Sequence, residues 1–150
     1  MRWIPSLGAL LLTGGCSTGE PAGPLTTLPP PAAPIDLTTT NGGPSNDRNY
    51  YVAWQPEPDP IPIGEVFALK LWILEGPAGG AIVNRVDVRV SAWMPDHDRW
   101  MQRDPDVAPL GAGHFTAKGM LFPMAGRWEL YVDVTRDGLT ERGQYLLRVD

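Results

Sequence analysis

The stretch Val86-Asp87-Val88-Arg89-Val90-Ser91-Ala92 decides the fold class. Apolar and polar residues alternate at every step, the period of a strand with one buried and one wetted face. The same pattern recurs on both sides. Upstream, Phe67, Leu69, Leu71 and Ile73 alternate with Lys70 and Trp72. Downstream, Phe115, Ala117 and Leu121 alternate with His114, Thr116, Lys118 and Met120, which sets His114 and Met120 on the outward register. Trp128, Leu130, Val132 and Val134 alternate with Glu129, Tyr131 and Asp133, and Asp137-Gly138 supplies a hairpin turn before Tyr145, Leu147 and Val149. One polar face per strand, short connections and no helical window predict an all-β, immunoglobulin-like antiparallel sandwich of about six or seven strands.

The N-terminal side reads differently. Arg2, then an apolar stretch from Ile4 to Leu12, then Thr13-Gly14-Gly15 form a secretory signal over residues 1–15. The stretch is about half the ~20 apolar residues a membrane-spanning helix needs. Cys16, the only cysteine, follows directly, and Leu12-Thr13-Gly14-Gly15-Cys16 resembles a bacterial lipobox. That resemblance implies lipid attachment at Cys16, so membrane lipid is the first expected partner and no thiol is left for a disulfide. Resemblance to Gram-negative lipoproteins, in which aspartate after the cysteine favours the inner membrane, implies the outer membrane for a chain with Ser17 there if the organism is Gram-negative.

Residues 16–48 hold seven prolines, six threonines and no aromatic residue, the composition of a disordered tether. The folded domain is expected over 49–150. The net charge of −5 with only two lysines, Lys70 and Lys118, excludes nucleic acid as a partner, because neutralising phosphates needs clustered cations.

Chemistry-bearing residues concentrate after the central strand. Met94 to Gly111, MPDHDRWMQRDPDVAPLG, reads as the longest structureless stretch, and such loops carry function more often than short ones. Both histidines, His97 and His114, lie between positions 94 and 124 with Met94, Met101, Met120 and Met124. Thioether and imidazole together suit copper, Cu(I) above all. The candidate metal site is therefore Met94, His97 and Met101, completed by His114 or Met124.

The structural account of the same residues is that methionine fills cores and a histidine in an acidic loop is solvated or ion-paired. Asp96-x-Asp98 and Asp104-x-Asp106 lack the spacing of a calcium loop, and Ser91 with His97 lacks the context of a catalytic triad. Trp93 and Trp100 flank the loop, either as a contact surface or as packing over the sandwich end.

Met94-Pro95-x-His97, then Gly113 and Phe115, then Phe122, Met124, Gly126 and Trp128 together resemble the YtkA-like and FixH-like families over roughly residues 50–150. The resemblance implies a membrane-associated extracytoplasmic β-sandwich and, for FixH-like relatives, copper delivery to respiratory oxidases. This chain departs at Asp98-Arg99, where the family often has Gly-His or Gly-Met. It also departs in being held by a lipidated cysteine rather than a transmembrane helix. The expected function is that of a non-catalytic, lipid-anchored accessory or binding module of the cell envelope that handles copper and meets an envelope protein. The alternative is a metal-free structural or interaction lipoprotein. No acid–base or nucleophile–base pair argues for an enzyme.

Overall fold

The computed structural model describes Asp36 and residues 40–150, all within the compact unit Pro31–Asp150. Residues 1–15, read as a signal, Cys16 and most of the span read as a tether lie outside the described residues. Among the described residues nine strands follow in chain order: β1 (Asn41–Pro44), β2 (Tyr50–Glu57), β3 (Val66–Glu75), β4 (Asp87–Met94), β5 (Arg99–Trp100), β6 (Asp106–Gly111), β7 (His114–Leu121), β8 (Gly126–Arg136) and β9 (Leu139–Val149). A 3-10 turn, Pro95–His97, links β4 to β5. Among the described residues no helix is long and apolar enough to cross a membrane.

The strands form two antiparallel sheets, β1-β2-β3-β7-β6 and β5-β4-β8-β9. Their inward positions interleave to make one core. Leu69, Leu71 and Ile73 of β3 meet Val90 and Ala92 of β4 and Leu130, Val132 and Val134 of β8. Trp128 is fully buried, stacked 4.5 Å from Phe122, which lies 5.2 Å from Phe67. Burying side chains of this size stabilises by roughly 1.5–3 kcal/mol each, so the alternation of β3, β4, β8 and β9 dictates the sandwich.

Three expectations change. The sheet starts inside the span assigned to the tether, because β1 pairs with β2 from Asn41↔Trp54 to Pro44↔Tyr51. Gly42 and Gly43 make this possible: a Cβ at Gly42 would lie 2.6 Å from the Tyr51 ring, and one at Gly43 would lie 3.1 Å from the Tyr145 ring. The stretch 94–111 is not structureless, since Met94 closes β4 and the 3-10 turn, β5 and β6 follow. Strands of two residues, or containing Pro109, give no alternation to detect.

Met120, finally, points inward and is fully buried. The register with β3 shifts between Phe67 and Ala68, and Gly119 at φ 84 supplies the bulge residue. One extra residue reverses the parity of everything after it.

Candidate functional site

At the end of the sandwich where β4 stops and β8 starts, chemistry-bearing residues gather on three segments. Met94 is the last inward residue of β4 and is 1% exposed. Its thioether methyl reaches the start of β8, where a Cβ on Gly126 would sit 2.6 Å from it. Met124 precedes that glycine by two residues, half-buried against the core, and its carbonyl accepts a hydrogen bond from the Trp128 indole N–H at 3.2 Å. Pro95 opens the 3-10 turn that carries the exposed His97, and Asp98 ends it in the left-handed region at φ 50. Asp96 pairs with Arg127 at 2.9 Å, fixing this turn to the first residues of β8.

Met101 sits on the flank of this end. Its N–H donates to the Ala92 carbonyl at 2.8 Å, and its half-buried side chain packs on the core. His114 does not join the group. It starts β7, opposite Trp72, whereas the Met124 connection leaves from the far end of that strand. Seven steps of strand separate them, about 23 Å.

His114 instead lies flat on Trp72, ring centroids 4.9 Å apart and 11° from parallel, with its Nε2 buried and without a hydrogen-bond partner. Burial, and then the nearby Lys70 ammonium, hold its pKa below the ordinary histidine value. Among the described residues no three His, Cys, Asp or Glu side chains gather to hold a metal ion. The soft donors Met94 and Met124 lie at this end of the sandwich, and His97 stands exposed on the 3-10 turn that follows Met94.

A second feature lies on the outer face of the four-stranded sheet. Trp93 and Trp100 face each other at 4.9 Å, and Trp100 meets Tyr131 at 5.6 Å. The Arg142 guanidinium lies 4.9 Å over the Tyr131 ring and is held by a two-pronged ion pair to Asp133 at 2.6 and 2.8 Å. The Tyr131 hydroxyl donates to Glu129 at 2.6 Å, which raises its pKa, with burial adding to the effect. Trp100 is 52% exposed. The tryptophans therefore decorate a sheet face rather than cover the sandwich end. Sequence spacing misses Tyr131 and Arg142, because cross-strand neighbours about forty positions away leave no local signal.

The remaining motif residues serve the fold. Phe115, Phe122 and Trp128 are core. Gly113, at φ 57, would bring a Cβ to 2.5 Å from Ile82 and 2.6 Å from the Val83 carbonyl. Gly126 leaves room for Met94. A pattern that recurs for such reasons reports architecture first and chemistry second. No curated protein and no solved structure matches the chain. A family model described as YtkA-like matches residues 45–133, more than half of the chain, and the motif positions now located in the core fall inside that span. The chain belongs to the YtkA-like family.

Proposed function

We propose that this chain is a non-catalytic accessory protein of the bacterial cell envelope that carries copper as cargo at the β4–β8 end of its sandwich. The observation behind this reading is that the Met94–His97 segment and the Met124–Gly126 segment, about thirty positions apart in sequence, meet at one end of the sandwich, where the Met94 thioether methyl reaches Gly126. Two thioethers and an imidazole favour Cu(I) over harder cations. In this reading the buried Met94 and half-buried Met124 hold the ion, and the exposed His97 admits and releases it. His114 takes no part.

Lipid anchoring at Cys16, inferred from the lipobox, keeps the module on its membrane, the outer one in a Gram-negative cell. The recipient is an envelope protein, of the respiratory-oxidase assembly kind that the FixH-like resemblance implies. A competition titration with a chromophoric Cu(I) chelator tests the site. Met94→Leu, Met124→Leu and His97→Ala should each weaken binding at least about tenfold, roughly the 1.4 kcal/mol of one lost ligand contact, and His114→Ala should leave it unchanged. Leucine conserves volume at both methionine positions, so the fold is kept. Equal affinity of the triple variant and the parent protein would end the copper reading.

The aromatic face supports a second reading, a metal-free interaction module whose Trp93–Trp100–Tyr131 cluster contacts an envelope protein. Aromatic side chains with an arginine are the composition of interface anchors. Under that reading Trp100→Ala abolishes partner cross-linking in the envelope, and Met94→Leu does not.

A further inference from the structure

The four sheet edges are not equally protected. Exposed strand edges are templates for pairing with another chain, and proteins blunt them with short strands, proline, bulges or inward charges. β1 has four residues; β5 has two and covers only Trp93 and Met94, and the rest of the β4 edge faces the Asp104–Val107 segment across a groove. β6 carries Pro109 and a register shift between Pro109 and Gly111. β9 runs for eleven residues without proline, lysine or bulge.

The register of β9 identifies which of its groups are open. Arg136↔Leu139 closes the hairpin over Asp137-Gly138, both at positive φ, so the odd positions of β9 exchange hydrogen bonds with β8. The even positions turn their N–H and C=O groups to the free edge. The Asn46 N–H confirms this by donating to the Arg142 carbonyl from outside the sheet at 2.9 Å. That contact and the inward carboxylate of Glu141 seal the edge as far as Arg142. Beyond it, the backbone groups of Gln144, Leu146 and Arg148 have no partner among the described residues, and Leu146 is 66% exposed.

We propose that this open edge pairs antiparallel with the same edge of a second copy, across a two-fold axis through Leu146, joining the two four-stranded sheets into one. Charge and side-chain pairing select that centre. With the axis at 146, the exposed leucines meet, Gln144 faces Arg148 of the second copy, and the pairing ends where the second copy's Asp150 side chain comes up to the Arg142 side chain, beside the Asn46 contact. This extends the Asp133–Arg142 and Arg148–Asp150 ion pairs into one alternating network. Centres at 145 or 148 set arginine against arginine, and centres at 144 or 147 set Leu146 against an arginine. Like charges directly opposite destabilise a pair of strands and apolar pairs stabilise it, so only the Leu146 centre satisfies both. The symmetry is isologous, the commonest in soluble oligomers. It also places both Trp93–Trp100–Tyr131 clusters on the same face of the joined sheet.

Sedimentation equilibrium of the full chain carrying Cys16→Ser, from about micromolar to about millimolar, tests the contact. The mass should rise with concentration from 16.3 kDa towards twice that value. Leu146→Pro removes an outward N–H and leaves every β8–β9 bond in place, so it should stay monomeric, and Leu146→Lys should do the same by charge. In that background Leu146→Cys is the only thiol and should oxidise to a covalent dimer, because directly opposed Cα atoms are about 5.5 Å apart. Gln144→Cys should not, since four strand positions, roughly 13 Å, separate it from its symmetry mate. A parent chain of monomer mass throughout, persistence of dimer in both Leu146 variants, or equal cross-linking at 144 and 146 would each overturn the proposal.

Discussion

On β9, whose odd positions face the core, Glu141 puts a carboxylate where an apolar side chain is the rule. It is 7% exposed. Burial pushes its pKa up, but the Ser45 hydroxyl, the Asn49 side chain, and the Asn49 and Asp47 N–H groups outweigh burial and hold it below the ordinary value. The bonds are 2.9 Å from Asp47 N–H, 3.3 Å from Asn49 N–H and 2.8 Å from Asn49 Nδ2. A carboxylate with a lowered folded-state pKa contributes stability that is complete above the unfolded value and is lost as pH falls through the folded one.

Glu141→Gln should therefore cost about 1–3 kcal/mol at neutral pH, and the acid side of its stability curve, below about pH 4.5, should be flatter than that of the parent protein. Urea unfolding across pH measures both. At this scale the sequence is a partial guide to the candidate site. The parity of β4 tells that Met94 points inward. Parity also sets His114 on the outward register, but its distance from Met124 is invisible, because ten positions in sequence become the length of a strand in space.

The hairpin of β6 and β7 shows how one backbone position governs an element. Gly113 combines φ 57 with neighbours from two segments, Val83 O at 2.6 Å and Ile73 O at 2.9 Å from a Cβ, and its own carbonyl accepts the Ile73 N–H at 2.8 Å. Gly119, at φ 84, has open space around it. Gly113→Ala should cost about 3 kcal/mol or more, because strain and backbone clash add, whereas Gly119→Ala should cost about 1 kcal/mol from φ alone. Denaturant midpoints of the two variants separate the effects.

Long strands with unbroken alternation, β3, β4, β8 and β9, are legible because each inward side chain repeats the same instruction. β1 is concealed by Gly42-Gly43, β5 by its length and β6 by Pro109. The bulge at Gly119 misassigns Met120, since an inserted residue changes parity without changing composition.

For the whole molecule, the contacts of β1 and the turn after it matter more than their composition suggests. Together they supply the partners of Glu141, cap Arg142, and accept the Tyr145 hydroxyl at the Gly43 carbonyl, 3.2 Å away. Burial drives the Tyr145 pKa upward, so that hydroxyl stays protonated and donating. A chain shortened to begin at Asn41 should retain the stability of the parent. One shortened to begin at Tyr50 leaves the Glu141 carboxylate without its donors and should lose about 2 kcal/mol or more, roughly 8 °C or more in Tm for a domain of this size. Thermal melts of the two chains check the difference.

The described tryptophans are divided between interior and surface by the same architecture. Trp54 and Trp128 are buried, Trp72 is half-buried against His114 on the five-stranded sheet, and Trp93 and Trp100 stand as a coupled pair on the outer face of the four-stranded sheet. Two indoles at 4.9 Å split each other's electronic transitions, so the molecule carries its own optical gauge. The buried rings report whether the core is closed. The surface pair is open to aqueous quenchers and loses that accessibility when anything lies across the four-stranded sheet. Folding and docking are thereby written into separate chromophores of a single unlabelled chain.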